Sequence, residues 1–347
     1  MSRADGSSGW RKRDVIDLLG ASGPAQAALF AEARRLRRKH FGDNVIVRGV
    51  IEITNLCRVN CAYCAMRRDN TNRNRVFILR PDRILKAAEQ IKARGIDIVF
   101  LQGGEVPQTT PLVVEVIPRI RELFKGKVEI LLNLGVKGRE EYALLRKAGA
   151  TACILKHETS DPDLHRRLRE EALETRLECL GTLLDLGYKV GTGTIVGLPG
   201  QTLESLGDDV LLAGALGVHM TSASPFVPAP GTPLAQAPAG LLNRTLNTMA
   251  AMRLLNPHCL IPSVSALEKV GRGGQRMGLE AGANVLTINF TPAAENREYL
   301  IYGKNRFVVH HDHVNRILLQ SGLKRAKSLW ISDADAPGTV PGHSGAV

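Results

Sequence analysis

Eight short apolar runs, each followed by a stretch of helical periodicity, constrain the fold of this 347-residue chain more than any other feature. The runs are V-I-E-I-T-N-L at 50–56, D-I-V-F-L-Q at 97–102, K-V-E-I-L-L at 127–132, T-A-C-I-L-K at 151–156, K-V-G-T-G-T-I-V at 189–196, V-H-M-T-S-A at 218–223, L-I-P-S-V-S at 260–265 and N-V-L-T-I-N at 284–289. They are apolar and rich in β-branched residues, as strands covered on both faces are. Amphipathic patterns at 81–94, 140–148, 174–186, 203–216 and 241–255 read as intervening helices. Strands alternating with helices argue for a parallel sheet, because parallel neighbours need a crossover. Eight repeats favour an α/β fold closed as a (β/α)8 barrel of TIM type over an open doubly wound sheet. The helical stretch 12–39 would flank it. The expected organisation is an N-terminal helical extension over 1–46, a barrel over 47–328 and a tail over 329–347, with 1–9 and 333–347 disordered.

In such a barrel the C-terminal ends of the strands carry the chemistry. The first of these ends runs into C-R-V-N-C-A-Y-C, with Cys57, Cys61 and Cys64. Three thiolates at gaps of three and two residues can hold one iron–sulfur cluster and leave one iron without a protein ligand. A closed electron-transfer cluster takes four thiolates, and Cys153, Cys179 and Cys259 are distant singletons. Three other readings compete, one of them chance, which rarely sets cysteines at this spacing directly after a strand. A zinc knuckle would take a fourth Cys or His close by, but the nearest histidines are His40 and His157. Disulfides would leave an odd thiol and suit a secreted chain, and no secretory leader is recognisable.

With 44% hydrophobic residues and no apolar run near membrane-spanning length, the chain reads as a soluble protein with a cytoplasmic location expected and no membrane partner. The net charge of +12 could suit nucleic acid, but the arginines are dispersed and no nucleic-acid motif accompanies the clusters at 34–39 and 67–75, so no nucleic-acid partner is expected. Basic surface near the cluster would attract an acidic one-electron donor.

The cysteine spacing, with aromatic Tyr63 before the last cysteine, resembles the signature of the radical S-adenosylmethionine (SAM) superfamily. The resemblance implies a [4Fe–4S] cluster on Cys57, Cys61 and Cys64, with SAM on the open iron. L-Q-G-G-E at 101–105 resembles the superfamily's G-G-E element, which implies SAM contacts at Gln102, Gly103, Gly104 and Glu105. Taken alone it is an ordinary strand-to-helix turn. K-H-E-T supplies Glu158 for ribose hydroxyls, and Arg176 follows as a fork for the methionine carboxylate; without the motif each reads as a surface ion-pair residue. The glycine-rich stretch at 191–202, with Gly197, resembles the family's turn against adenine.

Longer blocks, L-K-H-E-T-S-D-P-D-L-H-R-R-L-R, P-F-V-P-A-P-G-T-P-L-A and A-G-A-N-V-L-T-I-N-F-T-P, resemble the radical SAM maturases of [FeFe] hydrogenase that act on the H-cluster precursor, with methylornithine synthases and, more distantly, biotin synthases as relatives of the pattern. The resemblance runs over about residues 47–323. It implies reductive cleavage of SAM to a 5′-deoxyadenosyl radical that acts on a small molecule, an electron donor of ferredoxin or flavodoxin type, and a cavity under SAM lined by Tyr299 and Tyr302. Two departures fall on the cavity. Lys156 stands where the clade has Arg, a point charge for a planar fork, and Asn133, Leu134 and Gly135 replace a Ser-Leu-Gly stretch. Tyr299, Tyr302 and Lys156 are the expected substrate-side residues, while Tyr63 and Asn133 join the expected cofactor contacts. Biotin synthase is disfavoured because it needs ligands for an auxiliary cluster, and only Cys153 lies on a strand in a plausible place. Two alternatives stay open: a carbon-skeleton rearrangement or coupling in a biosynthetic pathway, and an iron–sulfur carrier or sensor that binds no SAM.

Overall fold

The structure, a computed structural model, describes residues 9–70, 75–303 and 305–326; the expected tail and all of the expected disordered ends except Gly9 lie outside the described residues. The elements run α1 (Lys12–Gly20), α2 (Gly23–Phe41), β1 (Asn44–Thr54), α3 (Pro81–Ala93), β2 (Ile98–Gly103), α4 (Thr109–Leu123), β3 (Glu129–Asn133), α5 (Arg139–Ala148), β4 (Ala152–Ile154), α6 (Pro162–Arg169), α7 (Leu173–Asp185), β5 (Lys189–Val196), α8 (Leu203–Ala215), β6 (Met220–Pro225), α9 (Leu242–Leu255), α10 (Leu267–Val270), α11 (Gly274–Glu280), β7 (Val285–Asn289), α12 (Ala293–Asn296), α13 (His311–Gln320) and β8 (Lys324–Arg325). Parallel pairing in the order β6-β5-β4-β3-β2-β1-β7 makes the wall of a TIM-type β/α barrel.

The expected strand at 260–265 is not a ladder strand. It contributes isolated parallel bridges, Met220 to Leu260 and Pro262 to Val285, that join β6 to β7. Pro262 has no N–H to donate, so pairing cannot run on through it. β8 pairs with Asn44 and Val45 instead of entering the wall. β1 starts at Asn44, earlier than the expected residue 50, because Arg48 and Gly49 interrupt the apolar run without interrupting the strand. Arg48 turns inward, where Nε donates to Thr287 Oγ1 at 2.7 Å and the guanidinium lies 4.8 Å from the Phe100 ring centroid. Gly49 is required by packing, since a Cβ there would lie 2.7 Å from Ile91.

Strand alternation sorts side chains into two layers. Val45, Val47, Ile51 and Ile53 of β1 join the large core shared with the helices. Val50, Ile98, Phe100, Leu131, Ala152, Met220, Leu260 and Val285 form a separate cluster that plugs the barrel interior. The expected helical stretch 12–39 is two helices, broken before Gly23, whose φ of +52° suits glycine. Both pack on α9, and α1 also on α8. Asn247 of α9 donates to the carbonyls of Leu19 and Ala21 at the end of α1, satisfying acceptors the helix cannot.

Candidate active site

The loop leaving β1 is pinned before it reaches the cysteines. Thr54 Oγ1 donates to Phe77 O at 2.6 Å, and Asn55 Nδ2 donates to Arg75 O at 2.8 Å and Glu298 O at 2.9 Å. Beyond them the chain coils on itself: Cys64 N–H donates to Cys61 O, Arg67 N–H to Cys64 O and Arg68 N–H to Val59 O. Arg67 Nε bonds Asn60 Oδ1 at 2.7 Å and Asn70 Nδ2 bonds Ala65 O at 2.6 Å, closing the turns from within. Ala62 N–H reaches Leu168 O at 2.7 Å and ties the loop to α6. Cys57, Cys61 and Cys64 thereby line one cavity, with Cys61 buried and the others partly so. Burial pushes the Cys61 and Cys64 thiols up. Arg169 at the end of α6 opposes this on Cys61, its Nη1 donating to the sulfur at 3.2 Å and to Tyr63 OH at 2.9 Å.

A brace of alternating charges lies beside the thiols. Glu105 accepts from Arg58 Nη2 at 2.7 Å and from Val136 N–H at 2.9 Å, with Arg169 and Arg176 Nη2 atoms 4.0 and 3.9 Å from Oε2. Glu171 accepts from Nε of both Arg169 and Arg176, each at 3.2 Å. Burial alone would raise Glu171, but Arg176 and Arg169 outweigh it and hold the carboxyl below its ordinary value. Two glycines allow close approach here, Gly104 between backbone segments and Gly135 against the brace. A Cβ on Gly104 would overlap the Leu56 carbonyl oxygen, and one on Gly135, where φ is +77°, would overlap Glu105 Oε2. Gly104 thus serves the approach of two backbone segments, β2 and the cysteine loop.

At the end of β4, Lys156 Nζ lies 3.1 Å from Glu158 Oε2 as an ion pair, yet that oxygen has no aligned hydrogen-bond donor. Burial raises the Glu158 carboxyl, and Lys156 with Arg176 and Arg169 more than reverses this, so it sits below its ordinary value. Burial lowers Lys156, but Glu158 outweighs it and the amine is raised. Both directions favour the charged pair. Glu158 has φ +66°, a left-handed conformation that costs a non-glycine residue about 1–2 kcal/mol. Arg176 Nη1 donates to Lys156 O at 2.8 Å.

The cavity encloses about 250 Å³. Gln102 Nε2 donates to Tyr299 OH at 3.0 Å, Tyr302 holds φ +66°, and Asn133 ends β3 on the same space. The buried pair Arg306–Glu52 ties the segment carrying both tyrosines to β1, and Arg306 Nη2 also donates to Asn296 O at 3.1 Å. Arg48 lines the floor, its one hydrogen bond among the described residues going to Thr287, and burial pushes its pKa down to about 10.

The structure brings together Cys57, Cys61, Cys64, Tyr63, Gln102, Gly103, Gly104, Glu105, Asn133, Lys156, Glu158, Arg176, Tyr299 and Tyr302. Gly197 does not line the cavity. Its φ is +86°, its N–H donates to Gln201 Oε1 at 2.7 Å, and a Cβ would lie 2.6 Å from Gly240, so it shapes the turn after β5. Cys153, expected in a plausible place for an auxiliary ligand, faces the outer core because strand alternation sends its neighbours Ile154 and Lys156 inward. Arg48, Arg58, Arg169, Glu171 and Arg306 were not expected from the sequence. For Arg169 a signal exists: it shares a helical face with Leu164, His165 and Leu168.

The donor set fits a cluster and SAM: three thiols and a cation around one cavity, a carboxylate oxygen of Glu158 with no aligned hydrogen-bond donor, and the Arg176 guanidinium, whose Nη2 lies 3.9 Å from Glu105 Oε2. Residues 51–213 match the model of the radical SAM superfamily. The chain is 41% identical over 276 residues to the [FeFe] hydrogenase maturase subunit HydE of Thermotoga maritima, covering 79% of this chain and 78% of that protein. It is 27% identical over 264 residues to 3-methylornithine synthase of Methanosarcina acetivorans, covering 75% and 73%. Among solved structures, methylornithine synthase PylB superposes with a TM-score of 0.81 at 24% identity over 92% of this chain and 95% of that one. HydG from Carboxydothermus hydrogenoformans follows with 0.75 at 20% identity over 91% and 76%. These two likenesses speak to the fold.

Proposed function

The chain belongs to the radical SAM superfamily, and from that premise we propose that it is a maturase of HydE type, converting a small precursor of the hydrogenase cofactor inside its barrel. As a radical SAM enzyme it uses a [4Fe–4S] cluster and SAM and takes electrons from a reductant. The observation that carries the finer reading is the 41% identity to HydE over most of both chains, together with a cavity that runs from the three thiols to Tyr299 and Tyr302.

Cys57, Cys61 and Cys64 would hold the cluster, and Gln102, Glu105, Glu158 and Arg176 would hold SAM. When bound, the cluster, once reduced, would supply one electron to SAM, whose S–C5′ bond would break to give methionine and a 5′-deoxyadenosyl radical. The chain's residues do the rest. Arg169 offsets thiolate charge at Cys61. Glu158, whose Oε2 pairs with Lys156 but has no aligned hydrogen-bond donor, would take a ribose hydroxyl, and Arg176 would take the methionine carboxylate. Tyr299, Tyr302 and the interior plug keep the floor closed, limiting water and stray hydrogen donors. Arg58 and Arg68 on the cysteine loop favour an acidic donor of ferredoxin or flavodoxin type, in the cytoplasm; no helix among the described residues is long and apolar enough to cross a membrane.

Anaerobic reconstitution tests this reading. The parent should take up about four irons per chain and, once reduced, cleave SAM to 5′-deoxyadenosine and methionine. Cys57→Ala, Cys61→Ala and Cys64→Ala should each abolish both, while Cys179→Ala and Cys259→Ala should not. In a host deleted for its own HydE-type maturase, the parent should restore hydrogenase activity. Full cluster content and SAM cleavage without such rescue would favour the methylornithine-synthase-like alternative.

A further inference from the structure

Behind the cofactor face of β4 and β5 lies a carboxyl group with no solvent exposure, Asp209 of α8. It reaches three segments at once. Oδ1 accepts from Ser160 N–H at 2.5 Å, Oδ2 accepts from Gln201 Nε2 at 3.0 Å, and Oδ2 lies 2.7 Å from Thr194 Oγ1. The same Thr194 hydroxyl lies 2.7 Å from the carbonyl oxygen of Glu158, the residue facing it across the β4–β5 seam.

A hydroxyl has one hydrogen to give, and a peptide carbonyl can only accept. Were Asp209 a carboxylate, two acceptors at 2.7 Å would compete for one hydrogen. The loser would stand buried against a bare oxygen, which is costly. A proton on Oδ2 resolves the arrangement: Oδ2–H donates to Thr194 Oγ1, Thr194 O–H donates to Glu158 O, and Gln201 still finds a lone pair on Oδ2. His157 is the nearest ionisable group, its Nε2 3.9 Å from Oδ1 and without a hydrogen-bond partner, and burial pushes its pKa down to about 3, so it is neutral. No cation within salt-bridge distance, among the described residues, calls for an anion at Asp209. Burial pushes the Asp209 carboxyl up to about 6 against its donors, the direction a held proton requires, so the acid form is the one present below about pH 6.

We propose that Asp209 is a positioning residue for the SAM site: as a neutral acid it fixes, through Thr194, the left-handed backbone of Glu158 and so aims the Glu158 carboxylate into the cavity. The proposal rests on the reading of Glu158 as a SAM contact. Neither Asp209 nor Thr194 lines the cavity, so both act through Glu158.

The test uses reconstituted full-length protein with SAM itself as the probe. Thr194→Val keeps the side-chain shape and removes the relay; Thr194→Ser restores a hydroxyl. Thr194→Val should weaken SAM binding about ten-fold, the scale of one buried hydrogen bond, with iron content and the rate of SAM cleavage at saturation held. Thr194→Ser should bind like the parent. Infrared difference spectra of the parent against Asp209→Asn should show a carboxylic-acid carbonyl band, shifted in heavy water and absent from the variant. Two outcomes would overturn the proposal: unchanged SAM affinity in Thr194→Val while Glu158→Ala is weakened, or a carboxylate band in place of the acid band. Unchanged affinity in Glu158→Ala would instead remove the underlying reading of Glu158.

Discussion

Among the loops and helices that follow β1, β2 and β4 the charged groups neutralise one another, whereas on β1 itself, at its seam with β7 and toward the 260–262 bridges, they are tied by single pairs or bonds. Glu105 and Glu171 sit between Arg58, Arg169 and Arg176, with Gly135 giving Glu105 room. At the β1–β7 seam, Arg48 of β1 makes one side-chain hydrogen bond among the described residues, to Thr287 of β7, and the segment bearing Tyr299 and Tyr302 is anchored to β1 through the Arg306–Glu52 pair. A closed charge network suits a ligand that stays the same from turnover to turnover. Polar groups with spare donors suit a guest that supplies the missing partners, and the wall there is held by bridges where the rest is a ladder.

The largest expected effect breaks the closed side. Glu105→Ala would leave Arg169 and Arg176 buried without one of their two carboxylates and free the cysteine loop from Arg58. Breaking a buried pair costs about 3–5 kcal/mol, and half-exposed Arg58 places this case toward the lower end. A fall in the denaturation midpoint together with lost iron incorporation checks it; a variant of parent stability that still binds iron would show that the brace is not structural.

Next in size is the buried ion pair at the β1–β7 seam. Arg306→Met would strand Glu52, whose side chain is 3% exposed, at a cost of about 3 kcal/mol. Here iron content and SAM cleavage without substrate should stay near the parent level while substrate turnover falls, because the tie holds the tyrosine segment and not the thiols. The double variant Glu52→Gln with Arg306→Met should regain much of the stability, since no charge is then left unpaired. Loss of iron in Arg306→Met would erase the distinction between the two sides.

The same division governs what the sequence made legible. The cysteine loop and G-G-E were readable because ligand chemistry dictates residue type and spacing. Repeated β-branched runs exposed the barrel. The expected strand at 260–265 failed at Pro262, where apolar character persists but the hydrogen-bond ladder cannot. Helix α4, with T-T-P-L-V-V-E-V-I-P, hides behind β-branched residues and an interior proline. Arg169 and Arg306 lie in basic or irregular stretches where a solvated side chain is the natural reading, and only tertiary packing turns them inward. Gly197 shows the reverse case: a conspicuous glycine whose conformation serves a turn and not the cavity.

The smallest effect sharpens the comparison most, because it removes one oxygen. Tyr302→Phe keeps the ring and the left-handed backbone, so fold and packing should be untouched, with the thermal midpoint within about 1 °C of the parent. What disappears is a hydroxyl that shares the cavity with Lys156 and Ser224, with burial raising its pKa so that it remains a neutral donor. A hydrogen bond of this kind is worth about 0.5–1.5 kcal/mol, several-fold in a rate if it is made to the reacting guest. SAM cleavage without substrate should therefore stay at the parent level, while the fraction of cleavage events that yield product falls several-fold. If SAM binding weakens in step with product, Tyr302 belongs to the closed side and the boundary between the two regions must be moved past Lys156.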